Sequence, residues 1–156
     1  MMSLFLDSNV IIEFAKDNPK AVEILETLFN GEFRVFINSI VYSEVFFIFL
    51  KAKTGKGYWE LKKDKETVKA TTKEFLETLF PLLSIPGFLE PTPDIIIISN
   101  ELSMKYGLLP NDSLILATCK YYGIQGLVSL DSDFEDACRS EGVLLINSAE
   151  KLKSLV

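Results

Sequence analysis

Histidine is absent from all 156 residues of the chain. That removes imidazole acid–base pairs, Ser-His-Asp triads and the HExxH type of zinc site. Arginine is nearly absent as well, with Arg34 and Arg139 the only two, so a buried carboxylate has few guanidinium groups to meet. Cysteine is scarce: Cys119 and Cys138 form no CxxC and sit in apolar or helical surroundings, which reads as core packing in a reducing compartment. No apolar run approaches the ~20 residues needed to cross a bilayer. The start, Met1-Met2-Ser3-Leu4-Phe5-Leu6-Asp7, lacks a basic segment and meets an acid before an apolar stretch reaches signal length. A cytoplasmic protein without membrane association is expected. An excess of positive charge is missing too. A net charge of −6 and a pI of about 4.8 argue against a general nucleic-acid coat protein. Chemistry at neutral pH is left to carboxylates, lysines, hydroxyls, thiols or a bound metal.

What is present is a foldable core. With 48% hydrophobic and 24% charged residues, the chain reads as one globular domain over 1–156. Short apolar runs end in turn or capping residues: Phe5-Leu6 before Asp7, Arg34 to Ile37 before Asn38, Leu127 to Leu130 before Asp131, and Val143 to Ile146. Between them lie stretches with helical spacing, including Ala21 to Phe29, Ile40 to Leu50, Asp94 to Lys105 with its Ile95 to Ile98 run packed inward, and Asp112 to Tyr121. Pro86 to Pro93 reads as a loop. Strands alternating with helices predict an α/β fold with a parallel sheet covered on both sides. Eight of the fourteen lysines fall in Lys51 to Lys73, which reads as an exposed helical arm.

The acids carry the chemistry. Asp7 and Asp131 each follow an apolar strand, so parallel pairing places both at the carboxyl edge of the sheet, where open α/β folds bind ligands. Asp133 lies two residues beyond. Each also suits the bland role of a helix N-cap. Glu44 is harder to explain as surface, because its helical neighbours Ile40, Phe47 and Ile48 are apolar. Asp112 has Leu109, Ile115 and Leu116 in the same relation, the alternative being a first-turn acid favoured by the helix dipole after Pro110. Ionised carboxylates are costly to bury unless paired or bound to metal, and two about 5 Å apart repel by roughly 3 kcal/mol at an effective dielectric near 20. With so few cations available, a divalent ion is the economical partner, and oxygen ligands favour Mg²⁺ or Mn²⁺ over zinc. Such a site suits phosphodiester hydrolysis.

Four short motifs carry a resemblance: Leu6-Asp7-Ser8-Asn9-Val10, Ser43-Glu44-Val45, Asn111-Asp112-Ser113-Leu114-Ile115-Leu116-Ala117 and Ser129-Leu130-Asp131-Ser132-Asp133-Phe134. In this order the chain resembles the PIN-domain nucleases, most of all the VapC-type toxins of prokaryotic toxin–antitoxin pairs. The resemblance implies a three-layer α/β/α sandwich with a central parallel sheet, and Mg²⁺- or Mn²⁺-dependent endoribonuclease activity. It implies catalytic, metal-binding acids at Asp7, Glu44, Asp112 and Asp131, with Asp133 accessory or alternative to Asp131. Ser8, Asn9 and Ser129 would line the site, Ser129 standing where the family often has Thr. RNA as substrate, a homodimer and an antitoxin partner are implied as well. In the lysine-rich arm, Lys62, Lys63 and Lys69 are candidates for guiding RNA, against a plain solvated helix whose Glu60, Asp64 and Glu66 partly cancel the charge.

Other readings fit less well. A haloacid-dehalogenase-like phosphatase wants a second Asp where Asn9 stands. A receiver domain wants an early pair of adjacent acids. Gly55-Lys56-Gly57 lacks the preceding glycine and following hydroxyl of a P-loop. The remaining rival is a catalytically inactive PIN-like module that binds RNA or protein; such a module would usually have lost one of the four acids, and here none is missing.

Overall fold

The computed structural model describes residues 1–156. Leu4, Phe5 and Leu6 are consecutive, apolar and at most 1% exposed, so the strand they form, β1 (Met2–Leu6), is covered on both faces. β2 (Phe33–Ile37) and β4 (Gly126–Val128) flank it; β3 (Gly87–Phe88) and β5 (Leu144–Ile146) are the edges. All pairs are parallel, in the order β3-β2-β1-β4-β5. The chain steps outward from β1 to β3, then returns to the other side of β1 for β4 and β5. Strand order therefore reverses at β1.

Ten helices connect and cover the sheet. The first six are α1 (Ser8–Ala15), α2 (Pro19–Asn30), α3 (Ser39–Thr54), α4 (Tyr58–Lys63), α5 (Lys65–Thr78) and α6 (Phe80–Leu83). They are followed by α7 (Pro93–Tyr106), α8 (Pro110–Tyr121), α9 (Glu135–Glu141) and α10 (Ala149–Lys153). Right-handed crossovers put α1–α6 on one face and α7–α9 on the other, because the two halves of the chain walk in opposite directions. Packing agrees: α1 meets α2 and α3, α3 meets α5, and α7 meets α8 and α9. This is the expected α/β/α sandwich. Its 31-residue apolar core runs from Leu4 to Leu152, and both cysteines are buried and free within it.

One polar tie sets the two layers in register. Asn38 caps α3 by accepting the Val41 N–H at 3.1 Å, and its Nδ2 donates to Thr118 Oγ1 on α8, also at 3.1 Å. Both residues are fully buried. The start of α3 is thereby held against α8 at the carboxyl edge of the sheet.

Some sequence expectations need correction. Of the Ile95 to Ile98 run only Ile95 is buried, while Ile96 and Ile97 are 48% and 59% exposed, because α7 turns a single face inward. The Pro86 to Pro93 loop contains the edge strand β3, where Gly87 pairs beside Phe36; a Cβ there would fall 2.8 Å from the Phe36 ring. The five-residue helix α10, capped by Ser148, follows the last strand. The lysine-rich stretch is helical but folds back on α3. Gly55, at φ 69, ends α3, Leu61 and Thr71 are buried, and Phe75 stacks on Phe46 with ring centroids 4.5 Å apart.

Candidate active site

The β1–β4 register sets Leu6 beside Val128, so the next residues of each strand, Asp7 and Ser129, emerge together. The Asp7 N–H still donates to the Val128 carbonyl at 3.0 Å. Beyond it the chain turns into α1, and Asp7 caps that helix by accepting the Ser8 N–H at 2.8 Å. The capping role is thus real. It accounts for one carboxylate oxygen, and the other, Oδ2, accepts from Ser129 Oγ at 2.7 Å and Asn9 Nδ2 at 3.2 Å.

A network extends from this point. Asn9 Nδ2 also donates to Ser129 Oγ at 3.1 Å, while its Oδ1 accepts the Leu130 N–H at 3.1 Å. Ser129 Oγ accepts the Asp131 N–H at 3.1 Å. Ser8 Oγ donates to Glu44 Oε1 at 3.1 Å, joining α1 to α3. Asn111 Nδ2 donates to Glu44 Oε2 at 3.3 Å, joining α8 to α3. The structure therefore brings Ser8, Asn9, Ser129, Asp7 and Glu44 into one hydrogen-bonded set. Asn111 was unassigned by sequence reasoning, although it directly precedes Asp112 in its motif.

The acids differ in their surroundings. Asp7 is 3% exposed. Burial pushes its carboxyl up to about 7, the bonds from Ser129 and the Ser8 N–H pull it down, and the Glu44 and Asp112 charges push it up again. Asp112, half-buried in the first turn of α8, is raised to about 6, first by burial and then by the charges of Asp131, Glu44 and Asp133. Glu44 is half-buried on the flank of α3, beside the inward stripe of Val41 and Val45, and Ile48 next to it is 36% exposed. Its apolar neighbours are thus partly surface, a correction to the expected apolar face. Asp131 caps a 3-10 turn, Ser132–Phe134, by accepting the Asp133 N–H at 2.9 Å, and Asp133 itself is exposed. Glu44, Asn111 and Asp112, with Leu109 and Pro110, line an open depression of about 380 Å³.

No cation of the protein answers these charges: the eight ion pairs of the chain include none of Asp7, Glu44, Asp112, Asp131 or Asp133. No three of the acids stand close enough to enclose an ion by themselves. An all-oxygen, cation-free set of this kind fits Mg²⁺ or Mn²⁺. Mg²⁺ usually takes one or two protein carboxylates and fills the rest of its shell with water and substrate phosphate. None of the lysine candidates pairs with an acid of this centre: Lys69 pairs with Glu66 at 3.1 Å, Lys62 lies over the rings of Tyr58 and Trp59, and Lys63 enters no ion pair.

Fold and site together define a class, a parallel α/β/α protein with a carboxylate centre at the sheet's carboxyl edge where strand order reverses. Residues 4–140 match the model of the PIN domain. The chain belongs to the PIN-domain family. It is similar to Ribonuclease VapC2 of Methanocaldococcus jannaschii, 40% identical over 132 residues that cover 85% of this chain and 87% of the relative. Among solved structures it shares its fold with FitAcB from Neisseria gonorrhoeae at a TM-score of 0.62 and 18% identity, covering 92% of this chain and 96% of that one. A chain of a toxin-antitoxin complex from Klebsiella pneumoniae matches at a TM-score of 0.55 and 22% identity, with 84% and 89% covered.

Proposed function

We propose that the protein is a Mg²⁺- or Mn²⁺-dependent endoribonuclease that hydrolyses RNA phosphodiester bonds as the toxin of a toxin–antitoxin pair. The observation that carries the reading is Asp7: a buried carboxyl raised to about 7, beside Glu44 and Asp112, with no lysine or arginine to neutralise the group. Family membership and a 40% identical relative named as a ribonuclease support it. The toxin–antitoxin role draws on the same relative and on the toxin-antitoxin complex that shares the fold.

In this reading Asp7, Glu44 and Asp112 hold the cation, with Asp131 as the fourth acid and Asp133 accessory to it. Asp131 is favoured because it is half-buried and leads the charges acting on Asp112, whereas Asp133 is exposed. When bound, the ion supplies positive charge against the phosphodiester and a water acidic enough to act near neutral pH. The chain supplies orientation. Ser129, Asn9 and the Ser8 N–H fix both Asp7 oxygens, and Ser8 with Asn111 fixes Glu44, so two of the acids are held in place before the ion binds, with water and substrate phosphate completing its shell. Expected partners are RNA, an antitoxin protein and a second copy of the chain. No helix is long and apolar enough to cross a membrane.

The rival, a module that binds without cutting, gains no support, since all four acids are present and two have perturbed ionisation. The test is cleavage of RNA by purified protein. We expect cutting with Mg²⁺ or Mn²⁺, none in EDTA, and none in a folded Asp112→Asn variant. EDTA-resistant cutting, or full activity in that variant, would overturn the reading.

A further inference from the structure

Trp59 is the chain's single tryptophan and is 70% exposed, while Tyr58 beside it is 54% exposed. Exposing two large rings to water forfeits the burial energy that places such residues inside. The short helix α4 that carries them is anchored by Leu61, which is 4% exposed, so the rings are held outward on a fixed element. Their ring centroids lie 5.1 Å apart at 89°, and Tyr58 meets Phe47 of α3 edge-on at 6.0 Å. Phe47 lies one helical turn beyond Glu44 on α3. A chain of aromatic contacts thus runs from the turn of α3 after Glu44 to an outward-facing indole.

Lysines are interleaved with this path. Lys62 Nζ stands 5.8 Å from the Tyr58 ring centre and 5.6 Å from that of Trp59, and Lys51 Nζ stands 5.6 Å from Phe47. Lys51, Lys62, Lys63 and Lys65 enter none of the chain's ion pairs, whereas Lys53, Lys56 and Lys69 in the same stretch are each tied to an acid. A chain of net charge −6 thus keeps a group of uncompensated cations beside its most exposed aromatic pair. The other exposed aromatic pair lacks this feature: Lys120, next to Tyr121 and Tyr122, is bound to Glu141.

We propose that Trp59 and Tyr58, with Lys51, Lys62 and Lys63, form a stacking platform for unpaired bases of a single-stranded RNA segment on its way to the acids. Single-strand binding sites combine aromatic faces for bases with cations for the backbone, and bases inside a duplex are not free to stack this way. The inference rests on the ribonuclease reading for the identity of the substrate. It adds Trp59 as the residue that selects unpaired strands.

The single tryptophan makes a direct probe. Titrating an unstructured oligoribonucleotide into the wild-type protein in EDTA should quench Trp59 fluorescence saturably, and the same strand annealed to its complement should quench much less. By fluorescence anisotropy of a labelled strand, Trp59→Ala should weaken binding by about 5- to 150-fold, while Trp59→Phe keeps most of the affinity. Absence of quenching, or unchanged affinity in Trp59→Ala, would overturn the proposal. So would a change of self-association in Trp59→Ala with RNA affinity intact, which would assign the rings to contact with a second copy. Quenching by RNA without cleavage would leave the platform standing and remove the hydrolytic reading. Metal-dependent cleavage with an unaltered KM in Trp59→Ala would do the reverse.

Discussion

Ser129 Oγ lies 2.7 Å from Asp7 Oδ2 and joins two residues 122 positions apart, at the ends of β4 and β1. This contact shows how the fold makes the site. A one-residue slip of either strand would turn its side chain to the opposite face and break the contact. Ser129 also accepts from Asn9 and from the Asp131 backbone, so one hydroxyl ties the turn after β1 to the turn after β4 through three partners.

Replacement of Ser129 by Ala should therefore do more than remove a methylene-borne hydroxyl. It leaves Asn9 and the Asp131 N–H short of a buried acceptor, at a cost of about 1–3 kcal/mol. It also removes a hydrogen bond that lowers the Asp7 pKa, so the pH midpoint for Mn²⁺ binding should move upward. Calorimetric titration across pH checks this, and Ser129→Thr should restore the midpoint. An unmoved pH profile in the Ala variant would deny Ser129 its orienting role.

Asp7 gives a stability profile of definite sign. Its folded-state pKa is about 7 against an unfolded value of 3.8, so between these pH values the folded chain holds a proton that the unfolded chain has lost. Stability of the metal-free protein thus falls as pH rises from about 4 to about 7, by up to about 4 kcal/mol at 1.36 kcal/mol per unit. Asp112, raised to about 6, adds to the same trend. Asp7→Asn should be more stable than wild type in EDTA at pH 7.5, nearly equal to it at pH 4.5, and unable to gain stability from added Mg²⁺. Thermal unfolding at both pH values measures this; a wild-type advantage at pH 7.5 in EDTA would contradict it.

The relative standing of the acids is where sequence and structure part. Glu44 and Asp112 draw attention in the sequence because apolar residues flank them at helical spacing. The structure makes Asp7 the deeply buried one, since only the register of β1 with β4 shows what covers a strand end. The α/β alternation was legible, because Leu4 to Leu6 and Leu127 to Val128 are apolar runs too short for helices. β3 was not, since a two-residue strand has no periodicity and depends on Gly87 fitting against Phe36. The lysine-rich stretch showed its charge but hid its packing, because Leu61, Thr71 and Phe75 are too sparse to announce a buried face. Asn111 and Trp59 carry no signal until Glu44 and Lys62 are placed beside them.

The three lysine candidates should separate. Lys69 is held by Glu66, while Lys62 and Lys63 are free. If each free lysine contacts one phosphate, the Lys62→Ala, Lys63→Ala double variant should flatten the slope of log K against log salt for single-stranded RNA by about 1.4. Lys69→Ala should leave it nearly unchanged. Equal effects from all three would show that the Glu66 pair opens on binding.

The most direct measurement for the account as a whole is the anomalous difference map of a crystal soaked in Mn²⁺. The expected result is density at the carboxyl edge of β1 between the carboxylates of Asp7, Glu44 and Asp112, lost in crystals of Asp112→Asn. Manganese bound elsewhere, or equal density at this edge in the variant, would contradict the claim that these acids form a metal-holding nuclease centre.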